Sequence, residues 1–117
     1  MRRFAPLVAL ALCLAVPSAF GAPSPSYALT IHDHTFAPAT LTVPAGERIK
    51  IEVKNVRALP SEFESFDLNR EKVVPGGTTV SVWIGPLKPG KYKFFDDFNP
   101  GVTGWIVVVK PEAEPHP

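Results

Sequence analysis

At 117 residues and 12.7 kDa the chain is sized for a single domain, which excludes a multidomain enzyme. Its composition, 45% hydrophobic and 20% charged with a mean hydropathy of +0.10 and a formal net charge of +1, is that of an ordinary globular protein. A disordered tail and a nucleic-acid binder with a basic face are both excluded.

The chain opens with Arg2 and Arg3, an apolar run from Phe4 to Val16, and then Pro17, Ser18, Ala19, Phe20 and Gly21. This is the pattern of a secretory signal peptide over residues 1–21, cleaved after Gly21, and the apolar run is short of the ~20 residues that a bilayer span requires. Cys13 lies inside that run and leaves with it, and Leu12 before it is unlike the small residue of a lipoprotein signal. The exported chain then carries no cysteine, so neither disulfides nor thiolate ligands are available to it. Without Arg2 and Arg3, ten basic residues face eleven acidic ones, a nearly neutral balance that offers nothing to nucleic acid.

In chain order, apolar residues alternate at Tyr27, Leu29, Ile31; Leu41, Val43; Ile49, Ile51, Val53; Val80, Val82, Ile84; Tyr92, Phe94; and Ile106, Val108. A period of two marks strands that bury one face. Pro44-Ala45-Gly46, Pro75-Gly76-Gly77, Gly85-Pro86, Pro89-Gly90 and Asn99-Pro100-Gly101 punctuate them as turns. The fold class expected over residues 22–110 is all-β, a Greek-key β-sandwich of about seven strands. The segment Trp105 to Val109 is apolar on both faces and is expected to be central. Residues 111–117 alternate proline with charge and read as a disordered tail.

Two stretches break the alternation: Leu59 to Lys72 and Phe94 to Thr103 crowd phenylalanines against carboxylates and read as loops at one end of the sandwich, where such domains place function.

The stretch Phe36-Ala-Pro, Leu41-Thr-Val-Pro-Ala-Gly-Glu and Ile49-Lys-Ile-Glu-Val-Lys-Asn55 resembles the cupredoxins. The resemblance implies that Ser61, Asp96, Asn99 and Val102 stand where the type 1 copper ligands histidine, cysteine, histidine and methionine stand in copper-holding members. Such a set cannot reproduce a thiolate with two imidazoles, so no type 1 copper and no blue electron carrier are expected. Closer still, Asp33-His34-x-Phe36-x-Pro38, Glu62-Phe-Glu-Ser65, Pro75-Gly-Gly, Gly85-Pro-Leu-Lys-Pro-Gly90 and Phe94-Phe-Asp-Asp-Phe-Asn-Pro100 are similar to the EfeO-type cupredoxin-like proteins. That resemblance implies a periplasmic accessory of ferrous-iron uptake, partnered by a membrane iron permease and a second periplasmic metal-binding protein.

In such a frame the segment after Asn55, the last interstrand loop and the end of the first strand meet, and Glu62, Glu64, Asp96, Asp97 and His34 become the candidate metal ligands. Carboxylates with an imidazole suit iron(II), iron(III), manganese or copper(II) better than copper(I). Alternation allows only one of Asp96 and Asp97 to face inward. His32 and His34 would share one face of an edge strand, and Asp67 would pair with Arg70 or Lys72. The competing reading is a metal-free sandwich whose Phe-rich acidic end docks on the permease or another exported protein. Convergence of Glu62, Glu64, Asp96 and His34 within about 5 Å separates the two, because bonds of roughly 2 Å to one ion require it. No Ser-His-Asp set, nucleophilic cysteine or phosphate-cradling glycine loop points to an enzyme.

Overall fold

A computed structural model describes residues 24–111. The leader expected over residues 1–21 and residues 112–117 of the expected tail lie outside the described residues. Among the described residues, no helix is long and apolar enough to cross a membrane.

The regular structure is all strand: β1 Ser26–Ile31, β2 Phe36–Ala37, β3 Thr40–Pro44, β4 Ile49–Asn55, β5 Ser61–Ser65, β6 Arg70–Val74, β7 Thr79–Ile84, β8 Gly90–Asp96 and β9 Asn99–Val109. They form two sheets, one ordered β2-β1-β4-β7 and the other β3-β9-β8-β5-β6. Strand β1 runs parallel to β4 and β3 runs parallel to β9, while the remaining pairs are antiparallel. The alternation read from the sequence sets which faces meet. Leu29 and Ile31 of β1, Ile49, Ile51 and Val53 of β4, and Val82 and Ile84 of β7 turn inward from one sheet. They join Leu41, Val43, Phe63, Val74, Phe94, Ile106 and Val108 of the other in one buried cluster. Complete burial of such side chains contributes ~1.5–3 kcal/mol each. At one end, Phe94 packs edge-on to Phe36 at 4.7 Å and stacked on Phe63 at 5.2 Å between ring centroids.

The described residues form nine strands where about seven were expected. Six of them carry the alternation read from the sequence; the other three are the two-residue β2 and the pair β5 and β6, which lie within a stretch read as loop. The reason is compositional: in β5 the inward positions are Ser61, Phe63 and Ser65, and the outward ones are Glu62 and Glu64, so polarity does not alternate although orientation does. The turn expected at Asn99-Pro100-Gly101 is strand, since β9 begins at Asn99 and the reversal falls at Asp97 and Phe98. Strand β9 is hydrogen-bonded on both edges, to β3 and β8, as its two apolar faces suggested. Its outer face is nevertheless partly open, with Trp105 and Val109 exposed and the Lys91 ammonium 5.5 Å from the Trp105 ring centroid.

Candidate functional site

The site is a consequence of β5 pairing. Antiparallel register places Phe63 opposite Asp96 and Glu64 opposite Phe95 on one side, and Glu64 opposite Glu71 on the other. The Asp97 amide donates to the Glu62 carbonyl at 3.0 Å, which ties the β8–β9 turn to the start of β5. Glu62 and Glu64, two apart on an extended strand, share the outer face of the five-stranded sheet, and Asp97 comes up beside them. One carboxylate oxygen from each of Glu62, Glu64 and Asp97 lies within 4.8 Å of the others.

Exposure is graded across this triad: Glu62 is buried at 5%, Glu64 is half-buried and Asp97 is exposed. Among the described residues, Glu62 Oε1 is buried with no hydrogen-bond partner. A buried, unpartnered carboxylate oxygen is costly unless protonated or matched by a cation. Burial accordingly pushes the Glu62 carboxyl up to about 7, helped by a hydrogen bond to Glu71 and by the charges of Glu71, Asp97 and Glu64. Glu64 is also raised, first by burial and then by the charges of Asp97 and Glu71.

Asp96 and His34 do not join this triad, so the expected convergence of Glu62, Glu64, Asp96 and His34 is not formed, and Asp97 is the third carboxylate instead. Asp96 alternates to the opposite face and is wholly buried. Its Oδ1 accepts the Glu62 amide at 2.9 Å and the Phe98 amide at 3.0 Å, and its Oδ2 faces Arg57 Nη1 at 3.6 Å. His32 and His34 are exposed and lie past the end of β1, in a turn closed by the His32 amide donating to the Thr35 carbonyl at 2.9 Å. They are therefore on a turn and not on a strand face. Asp67 Oδ2 accepts the Lys93 amide at 2.9 Å, whereas the Arg70 guanidinium donates to the carbonyls of Trp83, Leu68 and Asn69. The expected pairing of Asp67 with Arg70 or Lys72 is not formed.

Two residues were invisible to the sequence reading. Glu71 enters through the β5–β6 register, which required recognising both strands. Arg57 is placed by Asn55, whose fully buried side chain donates to the carbonyls of Leu59 at 2.8 Å and Val74 at 3.0 Å and accepts the Arg57 amide at 2.9 Å. The Arg57 segment packs tightly on the β6–β7 turn: a Cβ on Gly76 would lie 2.2 Å from the Ala58 carbonyl oxygen.

A family model for the cupredoxin-like domain matches residues 4–108. The chain belongs to this family. Among relatives of this cupredoxin-like protein, an uncharacterized protein of Rickettsia prowazekii (strain Madrid E) is 38% identical over 81 residues, which cover 69% of this chain. The match spans 65% of that protein's length. Auracyanin A, a "blue" copper protein from Chloroflexus aurantiacus, superposes with a TM-score of 0.62 at 18% identity over 74% of this chain and 100% of its own. The metal binding domain of the Cu(I) exporting P-type ATPase CopA of Streptococcus pneumoniae D39 gives a TM-score of 0.63 at 17% identity over 73% of this chain and 85% of that one. A purple cupredoxin from Nitrosopumilus maritimus gives 0.56 at 17% identity, over 71% and 99%. At these identities the likeness establishes the cupredoxin fold.

Proposed function

We propose that this cupredoxin-like protein is a periplasmic metal-binding accessory of a ferrous-iron uptake system. In this reading it captures a metal ion on Glu62, Glu64 and Asp97 and passes it on to a membrane iron permease or a second periplasmic metal-binding protein. The observation that carries the reading is the triad itself, three carboxylates within 4.8 Å whose innermost member has an oxygen buried without a partner. The similarity of Glu62-Phe-Glu-Ser65 and Phe94-Phe-Asp-Asp-Phe-Asn-Pro100 to EfeO-type proteins supports the iron-uptake assignment, and the signal-peptide pattern supports the periplasmic one.

The donor set selects the class of ion. Three carboxylates are hard oxygen donors suited to iron(III), iron(II) or manganese(II), with copper(II) admissible and copper(I) disfavoured. Type 1 copper does not fit: the positions that the resemblance matches to its ligands hold Ser61, Asp96, Asn99 and Val102, and the only cysteine of the sequence is Cys13, in the expected leader. Of these four, Asn99 turns its amide to the Asp33 carbonyl at 2.9 Å and Val102 is buried in the apolar cluster.

The chain's own groups account for capture and release. Glu62 forms a buried floor, Glu64 the wall, and Asp97 an exposed lip on a turn, an arrangement that leaves one side open to a receiving protein. Binding would discharge the proton that burial keeps on Glu62, so affinity rises with pH. Calorimetric titration of the purified protein with anaerobic Fe(II), Mn(II) and Cu(II) tests this. One-to-one binding that Glu62→Ala weakens by at least about 100-fold is expected, and a Glu62→Ala titration indistinguishable from wild type would overturn it.

A further inference from the structure

The other end of the same carboxylate chemistry is interior. Asp96 is fully buried and, among the described residues, its Oδ2 has no hydrogen-bond partner. Among the described residues its compensating charge is the Arg57 guanidinium, with Nη1 3.6 Å from that oxygen. The same Nη1 donates to Ser61 Oγ at 2.9 Å, and Arg57 Nε donates to Asp33 Oδ1 at 3.3 Å. The side chain is only 13% exposed. Three oxygens from separate segments, the β1–β2 turn, the start of β5 and the end of β8, thus converge on one cation.

We propose that the Arg57 guanidinium is a built-in cation that does the structural work of a metal ion at this end of the sandwich and closes the position to metal. Two features favour a built position over an incidental ion pair. The backbone that delivers Arg57 is fixed on both sides, its amide bonded to Asn55 Oδ1 at 2.9 Å and its carbonyl accepting the Gly77 amide at 3.1 Å. The planar, permanently charged fork also reaches several acceptors at once, which an ammonium on a flexible stem does not. Asp96 Oδ1 is taken by two amides and Oδ2 faces the guanidinium, so a metal ion at this position would lack a free oxygen and would lie against a fixed positive charge; the metal that the fold family implies here is therefore disfavoured by the guanidinium. The assignment stands whether or not the outer triad holds an ion.

An open depression of about 600 Å³ is lined by His32, Asp33, His34, Val56 and Arg57 among others. Truncating Arg57, which lines it, is expected to open a way from this depression towards Asp96. The test is chemical rescue in the full chain, with Glu64→Ala in every protein to silence the triad. Arg57→Ala is expected to lower Tm by roughly 10 °C, since removing one partner strands a buried charge. Guanidinium at about 10 mM, far below denaturing levels, or Zn(II) at about 1 mM should restore several degrees to Arg57→Ala and none to the Arg57 protein. Adding Asp96→Asn should abolish that restoration. An Arg57→Ala melting temperature equal to that of the Arg57 protein, or a loss that neither cation repairs, would overturn the proposal. Should Arg57→Ala fail to fold, Arg57→Lys must melt above the neutral Arg57→Gln; equal melting of those two would also refute it.

Discussion

Asp96 and Asp97 are adjacent in the chain and opposite in circumstance. Asp96 faces inward, accepts two backbone amides and lies against a guanidinium. Asp97 faces outward into a cluster whose other members are all acids. One carboxylate has a cation of the protein's own beside it, and the other three are left with each other. The difference teaches that charge compensation was available at this end of the fold and was applied to one face only, which is why the uncompensated face is the candidate for an external cation.

The sharpest way to break this contrast is to remove each aspartate in turn. Asp96→Ala should destabilise the protein by about 3–5 kcal/mol in urea unfolding, because it strands Arg57 and two amide donors together. Asp97→Ala should change stability by less than about 0.5 kcal/mol, as exposed turn residues do, while lowering metal affinity at least about 10-fold. Equal destabilisation by the two variants would erase the distinction.

The next largest effect concerns pH in the metal-free protein. Glu62 is raised from 4.5 in the unfolded chain to about 7 in the native one, so the folded state holds the extra proton between those values. Stability should therefore be greatest below pH 4.5 as far as this group is concerned, and should fall as pH rises towards and through 7. Glu64, raised for the same reason, adds to the fall. Glu62→Gln should flatten the profile and raise the Tm at pH 8, measured by calorimetry after chelation; a steeper wild-type loss on acidification over this window would contradict the site's electrostatics.

The smallest expected effect is conformational. Gly76→Ala forces a methyl against the Ala58 carbonyl and should cost about 1–3 kcal/mol, the usual range for overpacking. If the Arg57 segment is the positioning element described here, the same variant should weaken the cation rescue of Arg57→Ala, which a change confined to the turn would leave intact.

The sandwich was legible in the sequence wherever strand faces differ in polarity, as in β4, where Ile49, Ile51 and Val53 alternate with Lys50, Glu52 and Lys54. It was illegible where function inverts the code. In β5 the buried face carries serines that serve hydrogen bonds, Ser61 to Arg57 and Ser65 to the Lys93 carbonyl, and the outer face carries a glutamate buried at 5% exposure. Glu62, Glu64 and Asp97 were identified as candidates because acids beside phenylalanines are conspicuous in one dimension. That Asp96 and His34 would be directed elsewhere depends on strand orientation and on where β1 ends, neither of which spacing alone specifies. Arg57 carries no local signal, since its meaning comes from Asp33, Ser61 and Asp96, which reach it only through the folded sheets.

The parallel pairing of β3 with β9, which sets Thr40 beside Trp105, has a consequence for the order in which the protein forms. The β8–β9 hairpin can close on contacts that are near in sequence, but the five-stranded sheet is finished only when a segment from the beginning of the domain meets one from its end. Such non-local pairing carries its loop-closure entropy before any reward and slows folding. In a chain made from its N-terminus, completion of the sheet must wait until β9 is available, so the acidic triad is set on its finished support only after nearly the whole domain has been made.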